Sequence, residues 1–182
     1  MSYFSDRYSL MKVPIANDSK NLVGLRNAQV GAVHALGAYF TTKSEPVLVS
    51  MPTGTGKTAV IMMAPYLLQA SKVLIITPTV LVRSQISNNF SQLEVLKRLG
   101  VFAKNIKTPQ VFELKKKFTS DFSNRVKNAD VVISTPGCAL SLSESTELAS
   151  SFDMVVIDEA HHEPAKTWRQ VLVNMPESKH IL

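Results

Sequence analysis

Two short stretches of this sequence carry the residue types that phosphate chemistry requires, and the first is a glycine-rich loop. Its two glycines allow positive φ angles and let backbone N–H groups approach a phosphate closely. A lysine and a threonine end the loop, where an ammonium would hold β- and γ-phosphates and a hydroxyl would ligate Mg²⁺. Apolar residues before the loop and helix formers after it match the strand–loop–helix context of a phosphate-binding loop. The candidate nucleotide-binding residues of the loop are Thr53, Gly54, Thr55, Gly56, Lys57 and Thr58.

The second stretch is an acidic pair about 100 residues later, Asp158 and Glu159, which follows an apolar run over residues 152–157. A magnesium ion bound to phosphate needs a carboxylate on a rigid element, and hydrolysis needs a group that positions water. Asp158 suits the first role, and Glu159 suits the second as a general base. We therefore predict Lys57, Asp158 and Glu159 as catalytic residues, with Thr58 and Asp158 as Mg²⁺ ligands.

Each stretch has a simpler explanation when it is taken alone. A glycine turn followed by a lysine arises by chance, and the general loop pattern has glycine where this chain has Met51. Acidic residues also commonly follow strands. A zinc site is disfavoured, because His162 and Glu163 are followed by Lys166 where a His-Glu-x-x-His motif needs its second histidine. The loop and the acidic pair together favour a site that hydrolyses a nucleotide.

The elements that position both stretches alternate between strands and helices. Continuous apolar runs between helical segments predict a mainly parallel sheet covered by helices on both faces, which is an α/β fold. Ligands of such sheets bind beyond the carboxyl ends of the strands, where the polar motifs of this chain also lie. Strands are predicted at residues 47–51, 72–77, 130–134 and 152–157 and from residue 179, and helices at 22–40, 59–70, 79–99, 139–150 and 164–173, with a partly helical stretch at 111–118.

Composition indicates one domain of ordinary globular type. The 182 residues are 45% hydrophobic and 19% charged. No apolar run is long enough for a membrane span, and the N-terminus lacks the apolar core of a secretory signal. A single cysteine, Cys138, fits a reducing, cytoplasmic setting. Residues 1–21 are predicted as an arm of uncertain order, and residues 22–182 as the folded domain.

The positive charge is concentrated in one segment. Between Glu94 and Lys127, nine Lys and Arg residues face three acids, which accounts for the whole net charge of +6. A localised basic segment suggests a polyanion partner, and a solvated surface that keeps the domain soluble explains it equally well. Under the first interpretation, Lys115, Lys116 and Lys117 contribute sequence-independent affinity for nucleic acid.

With these motifs in place, residues 22–182 resemble the first RecA-like motor domain of superfamily 2 helicases and nucleic-acid translocases. Residues 51–58 are similar to motif I of that superfamily, which often lacks glycine at the place of Met51. Residues 158–161, Asp-Glu-Ala-His, resemble its motif II in the DEAH form. The following histidine, His162, resembles the branch that contains the motor (Res) subunits of type III restriction enzymes and related repair helicases. Three further segments resemble superfamily motifs, namely residues 25–29, 77–85 and 134–137.

The resemblance implies a RecA-like P-loop fold, a three-layer α/β/α sandwich, and an ATPase that uses ATP and Mg²⁺ to act on nucleic acid. It implies that Gln29, in a segment that also holds Arg26, recognises adenine. It also implies that His161 couples the nucleotide state to a second motor domain. Nucleic acid, with DNA as the expected form, would be contacted through its backbone. The residues implied for these contacts are Thr79, Arg83, Thr135 and Gly137.

The resemblance stops at Leu182, where the strand that leads to the next motif would begin. We therefore expect an N-terminal half-motor, monomeric in isolation and without the second RecA-like domain that supplies arginine fingers. Such a half would bind ATP weakly and hydrolyse it poorly. Two alternatives stay open: a nucleotide-binding interaction module without turnover, and a P-loop kinase, for which the sequence offers no candidate lid or acceptor site.

Overall fold

The structure, a computed structural model, describes residues 2–160 and 165–182. Within these residues the regular elements are eight α-helices, five strands and three short 3-10 helices. In chain order the helices and strands are α1 (Asn27–Thr42), α2 (Lys57–Leu67), β1 (Val73–Ile76), α3 (Val80–Gln92), α4 (Glu94–Arg98), β2 (Val111–Leu114), α5 (Ser123–Asn128), β3 (Val131–Ser134), α6 (Pro136–Ser143), α7 (Thr146–Ala149), β4 (Met154–Ile157), α8 (Ala165–Asn174) and β5 (Lys179–Ile181). The 3-10 helices are Ser5–Leu10, Asp18–Lys20 and Ser120–Phe122.

The five strands of the described residues form one sheet in the order β2-β3-β1-β4-β5, and every pairing is parallel. The register places Ile76 beside both Ser134 and Ile157, so β1, β3 and β4 end at the same level. Every residue of these three strands is buried, as expected for apolar strands that are covered on both faces. The predicted α/β fold with a parallel sheet is confirmed.

Successive strand residues point into two apolar cores, one on each face of the sheet. Ile75 and Val156 pack with α1, α2 and α3, whereas Leu74 and Val155 pack with α6 and α8. This arrangement is the three-layer sandwich that the resemblance implied. None of the described helices is both long and apolar enough to cross a lipid bilayer.

The segment before the glycine-rich loop is not the buried strand that its apolar residues predicted. It lies at the edge of the sheet beside β5, where Val47 N–H donates to His180 O at 3.0 Å and Val49 N–H donates to Leu182 O at 2.8 Å. Val47 and Ile181 form an isolated parallel bridge, which does not extend into a regular ladder. Leu48 is 72% exposed, because a segment at the edge of the sheet is covered on one side only. The pairing still places the segment one strand away from β4, which the acidic pair follows.

The largest difference in secondary structure is at residues 111–118, where we predicted partial helix. Val111–Leu114 instead form β2, which pairs along its whole length with β3. The Glu and Lys residues of the stretch favour helix locally, but Val111 and Phe112 suit a strand, and the ladder to β3 outweighs local propensity. The predicted helices over 79–99 and 139–150 are each divided in two, the first at Leu93, which has a left-handed φ of 55°.

The N-terminal residues pack onto the domain. Phe4 is fully buried, and its ring meets the ring of Tyr66 edge to face at 4.8 Å. The Tyr3 hydroxyl lies 3.1 Å from the Tyr66 hydroxyl and donates to Lys107 O at 2.6 Å. An arm that looked polar in sequence therefore anchors through two aromatic residues against the end of α2.

Candidate active site

The glycine-rich loop joins the edge segment to α2 and has the backbone conformation that its glycines permit. Gly54 has φ 79° and Gly56 has φ 89°, both in the left-handed region. The Thr55 hydroxyl donates to Pro52 O at 2.6 Å, which closes the turn. Because α2 begins at Lys57, the N–H groups of Lys57 and Thr58 have no intrahelical acceptor and are available to an anion, whereas Ala59 N–H donates to Gly56 O at 3.0 Å.

Two residues from the start of α1 hold this loop from behind. Gln29 is 4% exposed; its Oε1 accepts from Arg26 N–H at 2.8 Å and its Nε2 donates to Gly56 O at 3.0 Å. Arg26 Nη1 donates to Gly54 O at 2.9 Å. Both glycine carbonyls are thus tied to one segment. The resemblance implied that Gln29 reads adenine, whereas in the structure its amide bonds within the protein and keeps one N–H donor in reserve.

The structure brings the glycine-rich loop and the acidic pair together. Lys57 Nζ lies 2.5 Å from Glu159 Oε1, across 102 positions of sequence, and each side chain is about a quarter exposed. Glu159 has φ 55°, a left-handed conformation that is uncommon outside glycine and concentrates at functional sites. The group predicted to hold phosphate therefore pairs with the group predicted to position water.

Asp158 lies directly after β4, and its N–H donates to Ile76 O at 2.9 Å, which continues the pairing with β1 past the strand end. Burial raises the pKa of Asp158, the charge of Glu159 raises it further, and Lys57 opposes both. Ionised Asp158 is therefore held at a free-energy cost that a bound cation would offset. A carboxylate and the Thr58 hydroxyl at the loop are the hard oxygen donors that suit Mg²⁺.

A cavity of about 300 Å³ opens beside these groups. Lys57, Asp158 and Glu159 line it together with apolar residues of the edge segment, α2 and β5, among them Met51, Val60 and Ile181. The charged groups thus share an apolar wall, and a low local polarity strengthens electrostatic interactions with any phosphate bound there.

Comparison with known proteins assigns this chain to a family. A family model described as "Type III restriction enzyme, res subunit" matches residues 22–182, which include the loop and the acidic pair. The chain belongs to this family. Among curated proteins, no sequence matches the chain.

Solved helicase structures share the fold of this Res-family chain at low sequence identity. The UvsW helicase from bacteriophage T4 matches with a TM-score of 0.62 at 18% identity, over 98% of this chain and 57% of that chain. A second T4 UvsW structure matches with a TM-score of 0.64 at 19% identity, over 98% and 32%. A hypothetical ATP-dependent RNA helicase from Sulfolobus tokodaii matches with a TM-score of 0.63 at 23% identity, over 100% and 49%. The family and the shared fold confirm the predicted RecA-like motor domain, which spans only part of the length of these structures.

In this Res-family domain, three groups of candidate nucleic-acid residues follow adjacent strands at the carboxyl end of the sheet. Lys115, Lys116 and Lys117 follow β2 and are exposed, Thr135 follows β3, and Thr79 follows β1. The exposed Thr79 hydroxyl accepts from Val82 N–H at 3.2 Å and caps α3. Gly137 is exposed in the first turn of α6. We call this row of strand ends, which continues to Asp158 after β4, the carboxyl rim.

Arg83, another of the predicted nucleic-acid contacts, is engaged within the fold. It is 4% exposed, and its Nε donates to Glu113 Oε1 at 2.8 Å. Burial raises the pKa of Glu113, but hydrogen bonds from Arg83 and Ser84 and the charge of Lys115 outweigh that effect and lower the pKa overall. The guanidinium therefore joins α3 to β2. No sequence signal marked Glu113 as its partner, because the two residues lie 30 positions apart.

The basic segment is also not one surface. Lys115 to Lys117 lie at the carboxyl rim, whereas residues 101–107 contact the N-terminal segment through Lys12 N–H to Val101 O at 2.9 Å. Lys127 is paired with Glu147 at 2.6 Å. Folding therefore divides the predicted polyanion surface into separate parts. The coupling residue His161 lies outside the described residues.

Proposed function

We propose that this chain is the ATP-binding half of a nucleic-acid-dependent ATPase motor, whose parent is a helicase or a restriction-type DNA translocase. The observation that carries the proposal is the meeting of Lys57 with Glu159 at 2.5 Å beside Asp158. The family match supports a motor, and the shared fold supports a nucleotide site at the carboxyl rim.

Each residue of the site has a role in binding. Backbone N–H groups of residues 54–58 and the Lys57 ammonium would hold the phosphates, and Thr58 and Asp158 would hold Mg²⁺. When bound, Mg²⁺ neutralises negative charge on the phosphate oxygens. Arg26 and Gln29 would keep the loop open for the phosphates through its glycine carbonyls. Gln29 would also recognise adenine with the N–H donor that it has in reserve.

Nucleotide binding and hydrolysis require Lys57 and Glu159 to separate. The Lys57 ammonium lies 2.5 Å from the Glu159 carboxylate and forms an ion pair with it, so bound phosphates would compete with Glu159 for this ammonium. Once Lys57 moves to the phosphates, the Glu159 carboxylate is able to orient water and accept its proton. The ion pair thus represents the protein before nucleotide arrives.

Nucleic acid would bind along the carboxyl rim through its phosphates. Thr79, Thr135 and Gly137 offer hydroxyl and backbone N–H groups, and Lys115 to Lys117 add charge at the end of the row. The parent's second RecA-like domain would complete the nucleotide site, with His161 coupling the two. We propose a cytoplasmic protein whose isolated domain is monomeric and prefers DNA.

A nucleotide-binding module without turnover is the second candidate. The same Lys57–Glu159 pair favours it, because a carboxylate held by the loop lysine is not positioning water. Phosphate release in the presence of DNA and of the parent's second RecA-like domain separates the two candidates, and transfer to an added acceptor would indicate a kinase instead.

Nucleotide binding itself is tested by thermal unfolding with increasing Mg²⁺-ATP. Stabilisation should grow as RT ln(1 + [L]/Kd), which is about 2.7 kcal/mol at 100 times Kd. Lys57→Ala should abolish it, whereas Lys43→Ala, at an exposed position outside the loop, should not. An unchanged midpoint at millimolar ATP would contradict the proposal.

A further inference from the structure

The end of the domain opposite the carboxyl rim carries a groove between two segments. One wall is the 3-10 helix Ser5–Leu10 with Lys12, and the other is the loop over residues 100–107. The walls are joined by the Tyr3 hydroxyl, which donates to Lys107 O at 2.6 Å, and by Lys12 N–H, which donates to Val101 O at 2.9 Å. The space between the walls is open to solvent and has a volume of about 770 Å³. We call it the amino-end groove.

Its position follows from residues adjacent to its two walls, which contact residues that precede strands. Ser2, which precedes the first wall in sequence, donates from its Oγ to Ala70 O at 2.7 Å, shortly before β1, and Gln110, which follows the second wall, accepts from Asp130 N–H at 2.8 Å, just before β3. The groove therefore lies beyond the amino ends of the strands, across the length of the sheet from Lys57 and Glu159. One of its walls precedes residue 22, where the match to the Res family begins.

The charge of the groove is strongly positive. Arg7, Lys12 and Lys107 line it and Lys104 lies on the same loop, against the single carboxylate of Asp6. Within the described residues, none of these four cations forms an ion pair within 4 Å. The Arg7 guanidinium packs over the Tyr3 ring at 4.2 Å, which orients it without neutralising it.

Apolar side chains accompany these cations on the surface. Leu10 lines the groove and is 56% exposed, and Tyr8 of the same 3-10 helix is 43% exposed. Neither an inorganic anion nor the phosphate backbone of a duplex has an apolar group that would contact such side chains. A single strand offers both regularly spaced phosphates and unstacked bases, which contact apolar and aromatic side chains.

We propose that the amino-end groove binds single-stranded nucleic acid. Arg7, Lys12, Lys104 and Lys107 contact successive phosphates, while Leu10 and Tyr8 contact bases or sugars. This site is separate from the phosphate contacts proposed at the carboxyl rim and does not require a functional nucleotide site. It shares with the proposed function only the class of partner.

The test is fluorescence anisotropy of a labelled oligodeoxythymidine of about 20 nucleotides, titrated with the whole chain across a range of salt. The variant R7Q/K12Q/K107Q removes three groove charges. A second groove variant, K12Q/K104Q/K107Q, keeps Arg7 and therefore its contacts with Tyr3. The matched control, K20Q/K43Q/K166Q, removes three exposed lysines outside the groove, so that all three variants have the same net charge. Thermal unfolding confirms that each variant is folded.

Both groove variants should bind more weakly, and the slope of log affinity against log salt should become shallower by about 0.7 for each phosphate that the protein no longer neutralises. Three fewer neutralised phosphates lower affinity on the order of 10²-fold at about 50 mM salt. The control should stay close to the unaltered chain. Leu10→Ser should weaken binding without changing the slope, because it removes no charge.

Several outcomes would overturn the inference. If affinity for the oligonucleotide falls equally in the groove and control variants, net charge alone explains the binding. If affinity is unchanged in both groove variants, the groove is not the binding site. A duplex that binds as tightly, with the same sensitivity to the groove variants, would exclude single-strand recognition. Polyglutamate that competes as well as oligodeoxythymidine at equal charge would indicate an acidic protein partner. Stabilisation by Mg²⁺-ATP, measured on the same variants, reports separately on the proposed function.

Discussion

Gly54 and Gly56 show how differently two glycines of one loop are constrained. Both have positive φ, which disfavours any residue with a Cβ. A Cβ on Gly56 would also lie 2.2 Å from Gln29 Nε2, whereas within the described residues a Cβ on Gly54 would meet no atom within 4 Å. Gly56 is therefore constrained both by its own backbone conformation and by the Gln29 amide that holds the loop.

We predict that Gly54→Ala lowers the free energy of unfolding by roughly 1–2 kcal/mol, the cost of left-handed backbone. Gly56→Ala should lower it by about 1–3 kcal/mol more, because it displaces the buried Gln29 amide from Gly56 O. Urea unfolding of both variants measures the difference. When Gly56→Ala is made in the Gln29→Ala background and compared with Gln29→Ala alone, this additional destabilisation should largely disappear. Equal destabilisation by the two alanines would show that the Gln29 contact does not matter.

Asp158 leads to a prediction about pH. Its folded pKa is raised above the ordinary value of 3.8, so the folded protein binds this proton more tightly than the unfolded chain does. The resulting loss of stability is absent below pH 3.8 and complete above the raised pKa. Asp158→Asn should therefore raise the melting temperature at neutral pH, by about 2–4 °C for each kcal/mol gained at this chain length.

The increase in melting temperature caused by Asp158→Asn should vanish in acid, where the Asp158 carboxyl of the unaltered chain is itself protonated. The same variant should lose stabilisation by Mg²⁺-ATP, because an amide does not replace a carboxylate as a Mg²⁺ ligand. A melting temperature that falls at neutral pH would show that Asp158 supports the fold in its ionised form.

At the scale of elements, the buried ion pair between Arg83 and Glu113 joins α3 to the outer strand β2. The side chains of Arg83 and Glu113 are 5% and 16% exposed, so the guanidinium depends on Glu113 for its countercharge, while Glu113 also accepts from Ser84 and lies 3.7 Å from Lys115. β2 has a neighbour on one side only within the described sheet, and this pair ties it to the helix that begins at the carboxyl rim. The arginine that resembled a nucleic-acid contact thus holds the rim in shape.

Glu113→Ala should lower the free energy of unfolding by about 3 kcal/mol or more, because it leaves a guanidinium buried without its carboxylate. Glu147→Ala is the matched control, since it breaks the exposed pair with Lys127 and should change stability little. Urea unfolding compares the two. If both variants unfold at the same urea concentration, the Arg83–Glu113 pair does not anchor β2.

At the scale of the whole molecule, the proposed motor depends on arginine charge at the transferring phosphate, which neither Arg26 nor Arg83 supplies within the described residues. Phosphoryl transfer requires positive charge at the transferring group, and an arginine finger contributes roughly 10³–10⁵ in kcat in other phosphate-loop enzymes. Arg83 is buried in its ion pair, and Arg26 is bonded to the loop carbonyl of Gly54. The solved helicase structures that share the fold are longer than this chain.

Residues 1–182 should therefore hydrolyse ATP close to background, with or without DNA, while binding it. Adding the remainder of the parent protein should restore DNA-stimulated turnover, and Glu159→Gln should then remove it. Steady-state phosphate release measures both. Multiple turnovers by residues 1–182 alone, abolished in Glu159→Gln, would show that the chain is catalytically complete.

Some features of this protein follow from sequence because they depend on local pattern. The glycine-rich loop needs glycine at two particular positions, and four-residue apolar strands between helices leave a parallel sheet as the arrangement that buries them. Strand ends in such a sheet share one edge, so Asp158 and Glu159 were expected near Lys57, and they lie there.

Other features were decided only by tertiary contacts. Local propensity does not report which side chains meet across 30 or more positions, so Glu113 as the partner of Arg83 and the ladder that makes β2 a strand were not predictable. The edge position of residues 47–51 and the division of the basic segment between two ends of the sheet likewise depend on strand order. Sequence records the charge of each side chain, and only the packed chain determines whether that charge is presented to a partner or neutralised inside the fold.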